Sequence, residues 1–182
     1  QKSPGPKLYC VSGHVNKPGV YELPMGTPLK EIIYDHCHGI KGGRQLKAVI
    51  PGGLSTPILP PDKIDCPMDF ASMPAYGTML GSGAVIVFDD TVDLVKICHR
   101  AMKFFDHESC GKCTPCREGV HWMMQITERM LRGKGVKGDI ELLSDIAKNI
   151  LGKTFCPLGD GAAMVIHGFI KNFSNEFEEK IK

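Results

Sequence analysis

Three cysteines three residues apart, Cys110, Cys113 and Cys116, with a fourth at Cys156, constrain this chain more than any other feature. Thiols packed that closely in one run can converge on one compact object. Zinc sites usually take cysteines in pairs and complete the set with a second pair or with histidine. A C-x2-C-x2-C run with a distant fourth cysteine is instead the spacing of an iron–sulfur cluster, and the step Cys156-Pro157 repeats the Cys-Pro ending of ferredoxin-type motifs. The spacing thus predicts one 4Fe-4S cluster on Cys110, Cys113, Cys116 and Cys156. A zinc knuckle or a chance group of thiols is the competing reading.

The surrounding residues suit such a cluster. Thr114 is expected to cap a helix whose first residue is Pro115, which puts Cys116 in the first turn. Free N–H groups and the positive helix end there favour thiolates and sulfides. Gly111 allows close backbone approach, and Lys112 and Arg117 add positive charge. Cys156 ends the loop before a last helix. Cys10, Cys37, Cys66 and Cys98 share no spacing and read as inert thiols.

The two halves of the 182 residues differ in texture. Leu8–Val11, Val20–Leu23, Ala48–Ile50 and Ala84–Phe88 read as strands. Pro28–Cys37 reads as one helix, capped by Thr27. Residues 90–182 carry four apolar stripes at helical spacing, with Asp139 as an expected N-cap and Gly133 and Gly152 as stops. The expected class is α+β, a small sheet crossed by a helix followed by a four-helix bundle. The expected boundaries are a lead-in over 1–7, a sheet domain over 8–89 and a helical metal-binding domain over 90–182.

Charge excludes some partners. Residues 1–89 carry 8 Lys/Arg against 7 Asp/Glu, and residues 90–182 carry 14 against 13. That even spread gives no footprint for nucleic acid. No apolar run is long enough to cross a membrane, and no export signal opens the chain, so direct membrane insertion is not expected and a reducing, cytoplasmic compartment is. The chain opens at Gln1 without Met and reads as a fragment or a processed product. Gly133-Lys134-Gly135-Val136-Lys137-Gly138 fits G-x-G-x-x-G, but it follows a helix rather than a strand and reads as an interhelical loop. The seven histidines form no ligand pair, and no Ser/His/Asp or carboxylate pair stands out as catalytic.

The run ESCGKCTPCREG from Glu108, then Trp122-Met123 and later CPLGDGAA from Cys156, resembles the NADH-binding flavoprotein (the F subunit) of respiratory complex I. CVSGHVNKPGVYE (Cys10–Glu22) and IPGGLSTPILP (Ile50–Pro60) look like that flavoprotein's SLBB domain, a β-grasp, ubiquitin-like fold. The resemblance covers nearly the whole chain. It implies an NADH:quinone oxidoreductase in which NADH reduces FMN, and the cluster on these cysteines accepts single electrons. The FMN and NADH sites would belong to the intact flavoprotein only, outside these residues. The resemblance also implies that Leu158 lies near the flavin. The implied partners are a small 2Fe-2S subunit and a large iron–sulfur subunit, in an assembly peripheral to the inner membrane. Two alternatives stay open: a diaphorase subunit of an NAD-reducing hydrogenase or formate dehydrogenase, and a β-grasp binding module with a purely structural metal.

Overall fold

A computed structural model describes residues 4–182. The first three residues of the expected lead-in lie outside the described residues. The chain divides into two compact units, one ending at Val92 and the other running Asp93–Lys182. It is a mixed α+β protein, with a four-stranded sheet and five α-helices among the described residues.

In the first unit, β1 (Pro6–Gly13) and β2 (Gly19–Pro24) form an antiparallel hairpin with Tyr9 opposite Tyr21. β3 (Leu46–Ile50) pairs antiparallel with β4 (Ala84–Asp89), and β4 runs parallel to β1. The order is β2-β1-β4-β3. Alternation sets the faces: Tyr9, Val11, Val85 and Val87 point into the core, while Leu8, Cys10 and Val20 face water. The Tyr9 hydroxyl, buried with its ring, donates to the Met68 carbonyl at 2.9 Å. The long connection after β3 is built into this core. Val49 and Leu59 exchange both backbone hydrogen bonds, and Ile58, Ile64, Cys66, Met68, Met73 and Leu80 are buried. Each such side chain contributes on the order of 1.5–3 kcal/mol of burial.

The helix expected over Pro28–Cys37 is shorter and irregular. Pro28 is extended (φ −59°, ψ 139°), so α1 begins one residue later as Leu29–Glu31 and continues as a π-helical stretch over Ile32–His36. The wide turn closes through Cys37 N–H to the Ile32 carbonyl at 3.0 Å. It buries Leu29, Ile32, Ile33 and Cys37 together. Thr27 is not its cap; its hydroxyl donates backwards to the Pro24 carbonyl at 2.8 Å.

The second unit holds α2 (Leu94–Glu108), α3 (Thr114–Leu131), α4 (Asp139–Ile150) and α5 (Pro157–Glu178). α2 packs on α3 and α5, and α4 packs on the same two helices. The predicted stripes bury Leu94, Val95, Cys98, Met102 and Phe105 on α2, and Ala162, Ile166, Phe169, Phe173 and Phe177 on α5. Leu142 on α4 and Trp122 on α3 stay outside, 45% and 50% exposed. Asp93 caps α2 by accepting from Lys96 N–H at 3.1 Å, and Lys180 pairs with the same carboxylate at 2.7 Å. Gly133 and Gly152 stop α3 and α4 in the left-handed region, with φ of 67° and 72°. Asp139 is the first residue of α4, not its N-cap, a place taken by Gly138. Its buried carboxylate accepts from Val136 N–H at 3.0 Å and pairs with Arg129. No helix among the described residues is long and apolar enough to cross a membrane.

Candidate metal centre

The four cysteines come from two helix starts. Cys113 occupies the N-cap position of α3 with Pro115 just inside the helix, and Cys156 occupies the N-cap position of α5, followed directly by Pro157. The residue type at Thr114 favours it for the first of these caps, but the structure places Thr114 inside the helix. Both caps have extended backbones, and neither side chain hydrogen-bonds its own helix. A serine or aspartate there would ordinarily turn inward to the N–H of the second or third residue. These two thiols leave that role unfilled and stay available as ligands. Cys116 lies within the first turn of α3 and is buried, while Cys113 is half-buried and Cys110 and Cys156 are exposed. The N–H groups of both first turns have no carbonyl four residues back, and both helix ends are partly positive.

The other three cysteines act on the Cys116 thiol. Burial pushes the Cys116 thiol up, the hydrogen bond with Ser109 pulls it back, and the charges of Cys113, Cys156 and Cys110 each push it up further. All three other sulfurs are thus within electrostatic reach of Cys116. Gathered thiolates repel one another, and a cationic metal centre is what offsets that repulsion. Among the described residues, no three of His, Cys, Asp or Glu converge on a point where they could hold a single metal ion. Two histidines of the helical unit are engaged elsewhere: His99 with Thr127 at 3.1 Å and His121 with Asp106 at 3.1 Å.

Local hydrogen bonds shape the loop. Ser109 Oγ lies 3.3 Å from Cys116 Sγ and accepts from Gly111 N–H at 3.3 Å. Gly111 sits at φ 72°, a conformation that side chains resist. Arg117 reaches back from α3, and its Nη1 donates to the Gly111 carbonyl at 2.8 Å while Nε donates to Glu118 at 2.8 Å. Arg117 is therefore a brace for the loop as much as a source of positive charge. On the far side, Thr154 Oγ1 donates to the Cys156 carbonyl at 2.9 Å, and the Asp160 carboxylate accepts from Gly152 N–H at 2.7 Å. Sequence reasoning missed Ser109 and Thr154. Their only signal was a hydroxyl within two residues of a cysteine. Leu158 lies in the first turn of α5, half-buried, two residues beyond Cys156. The glycine-rich run at 133–138 connects α3 to α4, as its context requires.

Comparison with known proteins agrees with this geometry. Residues 96–180 match the NADH-ubiquinone oxidoreductase-F iron-sulfur binding region, and residues 8–59 match the SLBB domain. The NADH-quinone oxidoreductase F 2 subunit of Rhizobium meliloti is 52% identical over 181 residues, which is 100% of this chain and 43% of that relative. The corresponding F subunit of Mycobacterium bovis is 48% identical over 177 residues, 97% of this chain and 40% of the relative. The chain thus spans less than half the length of these relatives. Among solved structures, a chain of an NAD+-reducing NiFe-hydrogenase in the H2-reduced state superposes with a TM-score of 0.87 at 32% identity, covering 98% of this chain and 30% of that one. By its two matched domains and its whole-length identity to these F-subunit sequences, this chain belongs to the F-subunit family of NADH-quinone oxidoreductase, as the portion that carries the SLBB domain and the iron–sulfur binding region.

Proposed function

We propose that this chain holds one 4Fe-4S cluster on Cys110, Cys113, Cys116 and Cys156 and relays single electrons between a flavin and the next iron–sulfur protein. The observation that carries the reading is the gathering of Cys110, Cys113 and Cys156 around Cys116 at two helix N-termini. A zinc ion, with Zn–S of about 2.3 Å, needs four thiolates drawn close around one point. A four-iron cluster takes each thiolate at a different iron, so its ligands stand wider apart.

When bound, such a cluster supplies a one-electron store between a two-electron donor and one-electron acceptors. The chain's own residues hold and tune it. Cys116 is held in the dry interior, Ser109 hydrogen-bonds its sulfur, Arg117 fixes the Cys110–Cys113 loop through Gly111, and both first turns aim N–H groups at negative charge. In the whole protein the activity is NADH:quinone oxidoreduction with FMN and NAD, and Leu158 lies on the flavin side. The partners are the small 2Fe-2S subunit and the large iron–sulfur subunit, in an assembly peripheral to the membrane. The finer architecture follows the same reading: residues 8–89 are a β-grasp SLBB domain, supported by the parallel β1–β4 pair at the centre of the sheet, and residues 90–182 are a four-helix bundle, supported by the ring of contacts α2–α3–α4–α5. The hydrogenase neighbour favours one second reading, a diaphorase subunit, which uses the same cysteines.

Anaerobic reconstitution with iron and sulfide tests this. About four iron and four sulfide per chain are expected. Cys110→Ser, Cys113→Ser, Cys116→Ser and Cys156→Ser should each impair the cluster, and Cys10→Ser and Cys66→Ser should not. Stoichiometric zinc without sulfide sinks the assignment.

A further inference from the structure

The solvent face of α2 carries a stripe of positive charge. The cations Lys96, Arg100 and Lys103 recur at i, i+4 and i+7, and the uncharged ring of His107 follows at i+11, which sets the four in one narrow row along the helix. All four are exposed. The row is about 16 Å long at 1.5 Å per residue, and it ends three residues before Cys110. No ion pair among the described residues engages Lys96, Arg100 or Lys103. Glu128 of α3 feels the charge of Lys103, but its close partner is Arg132 at 2.7 Å. Asp106 is turned toward His121, and Glu108 is exposed at the end of the helix. Beside the row, Phe104 presents an aromatic ring that is 48% exposed.

Cations left unpaired on one side of a helix, in a half whose acids and bases otherwise balance, make a local positive field. Such a field steers an oppositely charged surface into register and raises the association rate, while an exposed ring supplies apolar contact at the centre. We propose that this face of α2 docks an acidic electron-carrier protein, so that the carrier's redox centre comes to rest beside the Cys110 loop. The proposal rests on the electron-relay reading given above. The transfer moves one electron between this chain and the carrier, oxidising one and reducing the other, with no bond made or broken and no further reactant. An anionic lipid surface is the rival occupant. It is disfavoured because α2 exposes one ring only, Phe104, whereas membrane-surface helices carry a broad apolar face beside the basic one.

The test uses the reconstituted full chain and an acidic plant-type 2Fe-2S ferredoxin as probe, with binding followed by isothermal titration at low and high salt. Iron content is measured on the same preparation. Binding that weakens with salt, and that falls about tenfold or more in the triple variant K96E/R100E/K103E, is the expected result. The neutral triple variant K96Q/R100Q/K103Q should fall between. These side chains are exposed, so helical content by circular dichroism should not change. Equal affinity in wild type and charge-reversed protein overturns the proposal. So does salt-sensitive capture of wild type by vesicles containing phosphatidylserine with no binding of the ferredoxin. Salt-sensitive ferredoxin binding by chain that takes up no iron–sulfur cluster would leave the surface standing and remove the relay reading instead.

Discussion

Gly119 on α3 faces Ile150 on α4 so closely that a Cβ added to the glycine would lie 2.8 Å from Ile150 Cδ1 and 2.9 Å from Cγ1. The same isoleucine meets Gly159 on α5, where a Cβ would lie 3.1 Å from its Cγ2 and 2.6 Å from Thr154 Cγ2. One side chain is thus wedged between two glycines, each three residues beyond a cysteine of the site. Alanine would ordinarily stabilise a helix by about 1 kcal/mol over glycine. Here the overlap outweighs that gain, because overpacking costs about 1–3 kcal/mol. Gly119→Ala is expected to lower stability by about 1 kcal/mol in denaturant unfolding. Adding Ile150→Val, which removes Cδ1, should recover part of the loss. Strict additivity of the two changes would show that they do not share the overlap.

The Arg117 brace makes a second prediction. Its hydrogen bond to the Gly111 carbonyl crosses the loop between Cys110 and Cys113. Arg117→Lys keeps the charge but loses the fork that reaches Gly111 and Glu118 together. Release of iron to a chelator should quicken several-fold in this variant, with helix content unchanged. A release rate equal to wild type would mean that Gly111 holds its turn unaided.

Thiol reactivity should sort the cysteines. Burial raises the Cys66 thiol to about 11 and also raises Cys37 and Cys98. At pH 8 all three are protonated and enclosed, and a protonated thiol is a poor nucleophile. Iodoacetamide at pH 8 should label exposed Cys10 in the native protein and spare Cys37, Cys66 and Cys98 until the chain unfolds. Mass spectrometry of peptides reads this out. Early labelling of Cys66 would contradict its placement in the core.

His99 and His167 should govern the acid limb. Burial holds both rings below the ordinary histidine value, and the charge of Lys148 adds to this at His167. The unfolded chain therefore takes up these protons at a higher pH than the folded chain does. Above the unfolded value of about 6.5 nothing is lost, and stability falls as the pH drops through it. His99→Gln or His167→Gln should flatten the decline in Tm between pH 7.5 and 5.5. A decline of unchanged slope in both variants would assign it to other groups.

Legibility in the sequence followed the strength of each local signal. The four strands and four long helices were readable because alternation and helical spacing directly reflect burial, as Tyr9 and Val11 or Cys98 and Met102 show. The caps were misread three times for one reason. Thr27, Thr114 and Asp139 have the right side chains for capping, but the sites belong to Pro28, Cys113 and Gly138. In each case a longer-range contact or backbone geometry set the start, such as the pairing of Asp139 with Arg129. The π-helical turn after α1 carries no local mark. It arises because Ile32, Ile33 and Cys37 must all face one core, and His38 at φ 59° then closes it. At the candidate site the cysteine spacing was legible because it is written in the chain itself. The bonds of Ser109, Arg117 and Thr154 depend on which way a folded loop turns, and short motifs do not encode that.

The last prediction concerns how the cluster is linked to folding. Tyr9, Leu29, Val49, Met68 and Val87 belong to one hydrophobic core that draws every member from the first unit. The cysteines of the site all lie in the second unit. There they join the start of α3 to the start of α5, so bound metal closes a loop of about forty residues and restricts the unfolded chain as a cross-link would. It also replaces repulsion among gathered thiolates with ligand bonds, which makes binding free energy part of folding free energy. Removal of the cluster should therefore loosen residues 93–182 far more than residues 8–89. Hydrogen exchange on the loaded and stripped forms would measure this. Protection should fall around 110–120 and 154–163, where the first turns of α3 and α5 lose their anchor. It should persist in β1 and β4, whose hydrogen bonds and buried side chains owe nothing to the metal. Equal loss in both units would mean that they unfold as one cooperative body, and the division at Asp93 would have no energetic meaning.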